Sequence, residues 1–287
     1  MAGMGTRDIK RKIKSVNNTR QITKAMELVS TAKLKRTKDR LNITKPYFDG
    51  VMEAVQGVIE NEKSLKNEYL AKRPVKKTLY IVITGDRGLC GGYNVNAMKT
   101  VVHDSVDLDR SLVITIGKKA NSFFSNNGYH VHKAFEGISE RPSFSDAQLI
   151  AKMALDLYKQ ETVDEIKLVY TQLISTISQE PLLLKLLPVE AGDHTANEDA
   201  DYEFINYEPS PEEVLSFIVP KYIESTVYGG LVESAAAEQA ARRVAMENAS
   251  NNADDMIDEL TLTFNQARQA AITQEIAEIV GGAEALK

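Results

Sequence analysis

A single cysteine among 287 residues, Cys90, rules out an internal disulfide and fits a reducing cytoplasm. No apolar run approaches the roughly 20 residues that a membrane-spanning helix needs. The basic N-terminus is followed by no apolar signal core, so neither secretion nor membrane insertion is expected. A lysine is missing where it would matter most. The stretch "TGDRGLCGGYN" (84–94) sets four glycines directly after an apolar run and looks like a phosphate cradle. A Walker loop, G-x-x-x-x-G-K-[ST], needs a lysine to reach the terminal phosphates, and after Gly88 and Gly91 this chain supplies Gly92, Tyr93 and Asn94. The spacing of Gly85, Gly88, Gly91 and Gly92 also misses G-x-G-x-x-G. A strand-to-helix turn aims N–H groups outward and is able to hold an anion, but these residues favour a structural turn or a surface for a neighbouring protein over a nucleotide site.

Catalytic sets are scarce too. His130 and His132 fall on one side of a short strand with no Cys or acidic ligand nearby, and they read as structural histidines. Asp254, Asp255, Asp258 and Glu259 read as a solvated or partner-facing helix surface. Cys90, in an exposed-looking turn beside Arg87, reads as an incidental thiol. No nucleophile–base pair stands out. No aromatic residues interleave with the basic residues of the first forty, which weakens a nucleic-acid reading.

What is present is helix and segregated charge. Apolar residues make up 43% of the chain, enough for an ordinary core, and the length suits two domains or one domain with an extended element. Residues 1–45 hold 13 Lys/Arg against 3 Asp/Glu, whereas residues 190–287 hold 5 against 20. The two ends therefore attract each other or face differently charged partners.

From Thr6 to Glu62 apolar residues recur at Ile9, Ile13, Val16, Ile22, Met26 and Val29, which predicts a helix with one packing stripe. Pro46 predicts a kink or short break in it. The middle, residues 75–190, predicts an α/β domain. Strands "KTLYIVIT" (77–84), "SLVITIG" (111–117) and "EIKLVYTQLI" (165–174) alternate with helical stretches near 94–108, 118–126 and 145–160, the pattern of a parallel sheet covered on both faces. "PLLLKLLPV" (181–189) is expected to close an antiparallel hairpin. An acidic stretch (190–211) then leads to a capping box at Ser210, Pro211 and Glu213. The C-terminal segment, 210–287, reads as one long helix, with Pro220 expected to disturb it. Met246, Ser250, Ala253, Ile257, Leu260, Phe264, Ala267 and Ala271 step by four and three, the mark of a supercoiled seam. Upstream, "SAAAEQAA" offers small residues that let another helix come close. Neither terminal helix can bury its stripe alone. The expectation is a long antiparallel two-helix coiled coil formed by residues 1–62 and 210–287, with an inserted, Rossmann-like α/β domain.

Three blocks, "RDIKRKIKSVNNTRQITKAMELVSTAKLKR", "DRGLCGGYN" and "ARQAAITQEIAEIVGGAEAL", resemble the gamma subunit of the F-type ATP synthase, in the same order and over essentially the whole chain. The resemblance implies a non-catalytic rotor, or central stalk, one copy per complex. It would couple proton flow through the membrane sector to ATP synthesis, or to hydrolysis in reverse, and take part in regulating the ATPase, while the coupling ion is selected in another subunit. Its implied partners are the ring of alpha and beta subunits, the epsilon subunit and the membrane c-ring, at the cytoplasmic face of the cell membrane. No cofactor, metal, nucleic acid or directly bound nucleotide is implied. The helical pattern begins almost at Met1 and no cysteine-bearing insert is seen, so a bacterial type without a presequence is expected.

Carried over by position, Arg268 and Gln269 should hydrogen-bond a loop of the catalytic ring, with Thr273, Glu275 and Glu278 close by. Ile276, Ile279 and Val280 should form a tip in an apolar bearing. Lys24, Met26, Lys33, Lys35 and Arg36 should pass acidic regions of the beta subunits, with Arg242 opposite Met26. The loop Arg87, Gly88, Leu89, Cys90, Gly91, Gly92, Tyr93 and Asn94 should face the head, and the acidic stretch before Ser210 the epsilon subunit and c-ring. The residues by themselves also leave open a coiled-coil adaptor or a nucleic-acid-binding protein.

Overall fold

The computed structural model describes residues 5–61, 67–71, 73–105, 107–189 and 207–285. In chain order these are α1 (Thr6–Asn61), β1 (Thr78–Ile83), α2 (Tyr93–Asp104), β2 (Ser111–Ile116), α3 (Lys118–Asn126), β3 (His130–Phe135), α4 (Phe144–Lys159), β4 (Glu165–Leu173), β5 (Gln179–Leu187) and α5 (Pro211–Ala285). A long helix opens the chain, a mixed sheet occupies its middle and a second long helix closes it. The acidic stretch expected to act as a connecting arm lies, for residues 190–206, outside the described residues.

The chain divides into two compact units. One comprises residues 31–242 and is built on a five-stranded sheet ordered β3-β2-β1-β4-β5. Strands β1 to β4 pair in parallel, and β5 returns antiparallel to β4, as the short connection between them (174–178) predicts. All six residues of β1 are buried, as a central strand covered on both faces requires. Its side chains alternate between two cores. Leu79, Ile81 and Ile83 join Ile114, Ile116, Ile166 and Leu168 under α4 and the part of α5 from Leu215 to Leu231. Tyr80 and Val82 join Val113 and Val169 under α2 and α3, against Ala97, Met98, Val101, Ala120 and Phe124. Each fully buried Ile or Leu contributes about 1.5–3 kcal/mol, so these two layers dominate the unit's stability. Strand β3 is at the sheet edge and half exposed, and for that reason carries no continuous apolar run.

Local signals set the helix starts. Ser143 accepts from the Asp146 N–H while Asp146 takes the Ser143 N–H, a complete capping box for α4. Ser210 Oγ accepts from the Glu213 N–H at 3.2 Å, and α5 begins at Pro211 as expected. Neither of the two prolines inside helices makes the break that was one of the expected outcomes. Both α1 and α5 run through Pro46 and Pro220 without a break. An interior proline costs about 3 kcal/mol. Packing offsets this around Pro220, where Leu215, Val219, Tyr222 and Ile223 are all buried. Near Pro46, the Phe48 ring lies on Gly229, where an added Cβ would sit 2.5 Å from it.

The stretch of α5 from Ser234 to Ala240 is buried on every side. Ala236 and Ala240 pack with Leu34 of α1 and Leu173, and Ala237 packs with Cys90 and Tyr93. The small residues thus serve two neighbours, a helix on one side and the glycine loop on the other.

The second unit comprises residues 1–30 and 243–287. Within it, Met246, Ser250 and Ala253 are buried and Ile257, Leu260, Phe264 and Ala267 half-buried, in the expected order, while Ala271 is exposed. On α1 the stripe differs from the expected one after Val16. Thr23 and Ser30 turn inward, and Ile22 and Val29 are 61% and 56% exposed. Spacings of three and four fit both sets; hydroxyls win because Thr23 and Ser250 meet at 2.7 Å, with Arg20 and Asp254 paired at 2.6 Å one turn away.

Candidate functional site

The residues singled out from the sequence fall in both units: the 84–94 loop with Lys33, Lys35, Arg36 and Arg242 in the sheet-containing unit, and the surface of the terminal helices in the other.

The loop leaves β1 and enters α2, a position where phosphate is often held. The anion place beside it is already occupied by this chain's own carboxylate. Asp86 accepts from the Lys118 N–H at the start of α3, from the Gly137 N–H and from Ser139 Oγ at 2.8 Å. Asn94 closes the inner side: its Oδ1 accepts from the Gly85 N–H at 2.8 Å, and its Nδ2 donates to the Arg87 carbonyl and to Cys90 Sγ. Cys90, expected in an exposed turn, is 2% exposed. It is packed between Tyr93 and Ala237, and burial pushes its thiol pKa up against the pull of Arg242. Turn residues announce a surface loop; only the helix lying across it seals the thiol.

Behind the loop sits a buried ion pair that sequence reasoning missed in part. Arg242 Nη2 meets Glu238 Oε1 at 2.6 Å and also donates to the Gly88 carbonyl at 3.3 Å. The carboxylate of Glu238 lies flat on Gly85, where an added Cβ would be 2.9 Å from it. Glu238 Oε2 has no hydrogen-bond partner. Burial raises the Glu238 pKa despite Arg242. Arg242 was expected as a contact with another subunit; its side chain is turned inward, 8% exposed, and tied to the loop. Nothing in the sequence flags Glu238, because a Glu–Arg pair four residues apart is ordinary helix surface.

What the loop shows to solvent is its crest. Leu89 has φ 62°, a left-handed conformation rare for a leucine, and is 64% exposed. Arg87, Gly91 and Gly92 are exposed beside it, whereas Tyr93 and Asn94 are buried. Lys33 of α1, in the same unit, pairs with Glu140 at 3.0 Å, and Lys35 and Arg36 are exposed.

In the second unit, Lys24 pairs with Glu27 at 3.0 Å and Met26 is half-buried. From Arg268 to Ala283 every residue of α5 is exposed. That stretch holds Arg268, Gln269, Thr273, Glu275 and Glu278. Thr273 Oγ1 donates to the Gln269 carbonyl of the preceding turn at 2.9 Å, and Gln274 to Glu278. It also bears Ile272, Ile276, Ile279 and Val280, exposed by 45%, 56%, 72% and 58%. Apolar side chains in this number on a bare helix mark a surface made to be covered.

The pattern of the ATP synthase family matches residues 5–286. The chain is 55% identical over 288 residues to the ATP synthase gamma chain of Alkaliphilus metalliredigens, covering 99% of this chain and all of that one. It is 45% identical to the sodium ion specific ATP synthase gamma chain of Acetobacterium woodii, over 97% of this chain and 98% of that one. Among solved structures, it resembles a chain of the central stalk and c-ring of the Tetrahymena thermophila mitochondrial ATP synthase, with a TM-score of 0.62, 27% identity, and 80% and 99% of the two chains covered. A chain of the Euglena gracilis mitochondrial ATP synthase shares the fold at a TM-score of 0.68, with 21% identity and 98% and 94% covered.

Proposed function

Since this chain belongs to the family of ATP synthase gamma chains, we propose that it is the central rotor of such an enzyme and carries rotation between the membrane sector and the catalytic ring. The observation that carries this reading is the bare end of α5, whose apolar residues have no cover among the described residues. Ile276, Ile279 and Val280 form the tip in an apolar bearing of the alpha–beta ring, and Arg268 and Gln269, with Thr273, Glu275 and Glu278, make polar contacts to the ring below it. Lys24, Met26, Lys35 and Arg36 extend the contact surface along α1. Residues 1–62 and 210–287 wind as an antiparallel coiled coil. The pairs Arg20–Asp254 and Thr23–Ser250, whose numbers run in opposite senses, support that winding. The inserted domain, residues 75–190, is Rossmann-like in its parallel order but without a ligand role, since Asp86 fills the anion place at its strand ends. The crest of the 87–94 loop, Arg87 and Leu89, is a contact with the catalytic ring.

The chain is non-catalytic on this reading. A rotor biases a catalytic site only by touching its alternative conformations unequally, and an asymmetric helix tip turning inside a ring does this in sequence. The rotor sits at the cytoplasmic face of the cell membrane, one copy per complex, with the epsilon subunit and c-ring at its foot. The coupling ion, a proton or sodium, is selected elsewhere: close likeness to a sodium ion specific gamma chain extends over the whole length.

The test is native mass spectrometry of this chain mixed with matched alpha and beta subunits, with ATPase activity read in parallel. One copy per three alpha–beta pairs, with turnover that depends on it, is the expected result. A chain that stays apart from competent subunits sinks the rotor reading and leaves an adaptor.

A further inference from the structure

We propose that the buried Glu238–Arg242 pair is a positioning device for the 86–92 loop, holding from helix α5 the backbone that presents Arg87 and Leu89 to the catalytic ring. The clause about the ring rests on the function proposed above; the positioning itself does not.

Three observations converge on this pair. First, the loop keeps a costly shape. Leu89 at φ 62° is a left-handed leucine, and such a residue persists only where its surroundings over-determine it. Second, the bond that reaches the crest comes from outside the loop. Asn94 ties the inner turn at Gly85, Arg87 and Cys90, whereas the Gly88 carbonyl, one residue before Leu89, receives Arg242. Third, Arg242 is aimed by Glu238 at 2.6 Å, and Glu238 is wedged against Gly85 with one oxygen unpartnered. A buried charge pair with an unsatisfied oxygen is a poor way to gain stability, since apolar side chains of the same size often serve as well. What it supplies is direction: the two hydrogens of one guanidinium nitrogen, Nη2, reach the carboxylate and the Gly88 carbonyl at once. Around it, Ala236, Ala237 and Ala240 give a smooth apolar face that fixes no orientation of its own.

Cys90 lets the proposal be tested, because it is the one cysteine of the chain and lies sealed under this loop. Its rate of reaction with a maleimide in the folded full-length chain reports loop opening. The double variant E238M/R242M removes both charges of the pair together, so its melting temperature should stay near that of the wild type. Its Cys90 should nevertheless label about tenfold faster, through local opening of the loop. Should the double variant melt far below the wild type, R242K keeps a charge for Glu238 on a side chain with shorter reach toward the Gly88 carbonyl, and it should label faster in the same way. In the reconstituted complex, the ions pumped per ATP hydrolysed should fall both in E238M/R242M and in L89A.

Wild-type labelling rates in both E238M/R242M and R242K overturn the proposal. So does fast labelling with full coupling in the double variant when L89A is uncoupled. If L89A itself is fully coupled, the loop is no ring contact and that part of the proposal falls with the reading it rests on, while the labelling rates still decide whether the pair positions the loop.

Discussion

The Glu238 carboxylate at neutral pH has one guanidinium to meet and almost no water. Arg242, Glu140 and Asp86 are the charged groups that act on it, and burial outweighs the attraction of Arg242, so its pKa lies above the ordinary 4.5. The folded chain therefore holds this proton more tightly than the unfolded one. The contribution of Glu238 to stability is fullest below pH 4.5 and is lost as the pH rises through its raised folded value. Glu140, drawn below its ordinary value by its bond to Lys33, has the opposite slope. Most of that slope is common to wild type and E238Q; the rest, the repulsion between Glu140 and Glu238, is absent from E238Q and moves the difference in the same direction. Unfolding free energies from about pH 4 to 8 should thus move in favour of E238Q as the pH climbs, and a flat difference would refute the assignment. At this scale the sequence was legible for the loop and not for its support. Gly85, Cys90 and Asn94 stand together in eleven residues; Glu238 is some 150 residues away and looks like any helix surface glutamate.

Helices and strands of this chain were legible where one periodicity dominated. The two cores of the sheet follow from strands that alternate with helices and from the continuous apolar run of β1, and the seam of α5 from Met246 to Ala267 follows from its steps of four and three. Edge strand β3 was legible only as a short strand around His130 and His132, and the inward face of α1 at Thr23 and Ser30 was not, because small hydroxyl residues leave a weak apolar signal. The stretch Ser234–Ala240 is the element with the least freedom. Ala240 is fully buried between Leu34 and its neighbours, so A240L must push a helix or the β4–β5 hairpin aside. Overpacking of this kind costs about 1–3 kcal/mol, read as a lower denaturant midpoint for the full-length chain. A midpoint equal to that of the wild type would mean that the helix has room the structure does not show.

For the whole molecule, membership of the gamma-chain family and the long uncovered end of α5 point to a protein completed by its partners. Several polar and apolar residues share the proposed contact with the ring, so torque spread over many weak contacts is the expectation, and it is measurable. R268A, in a complex that still assembles, should lower the rate of ATP synthesis by no more than about fivefold, as expected for one exposed polar contact among several. Abolished synthesis in an intact R268A complex would mean that the contact is concentrated there instead. The separation of charge, basic in residues 1–45 and acidic in 190–287, fits the same picture, because each end then favours contact with surfaces of the other sign.

The sequence by itself determined the element order, the two long helices, the alternating sheet and the family, since each depends on residues close together or on blocks matched in order. Only the tertiary structure decided what lies across the glycine loop. Sealing of Cys90, capture of the anion place by Asp86 and the inward turn of Arg242 each depend on segments distant in the chain. Local spacing sets which face of a helix is apolar; it does not fix which neighbour that face meets, and for a buried charge the neighbour is everything.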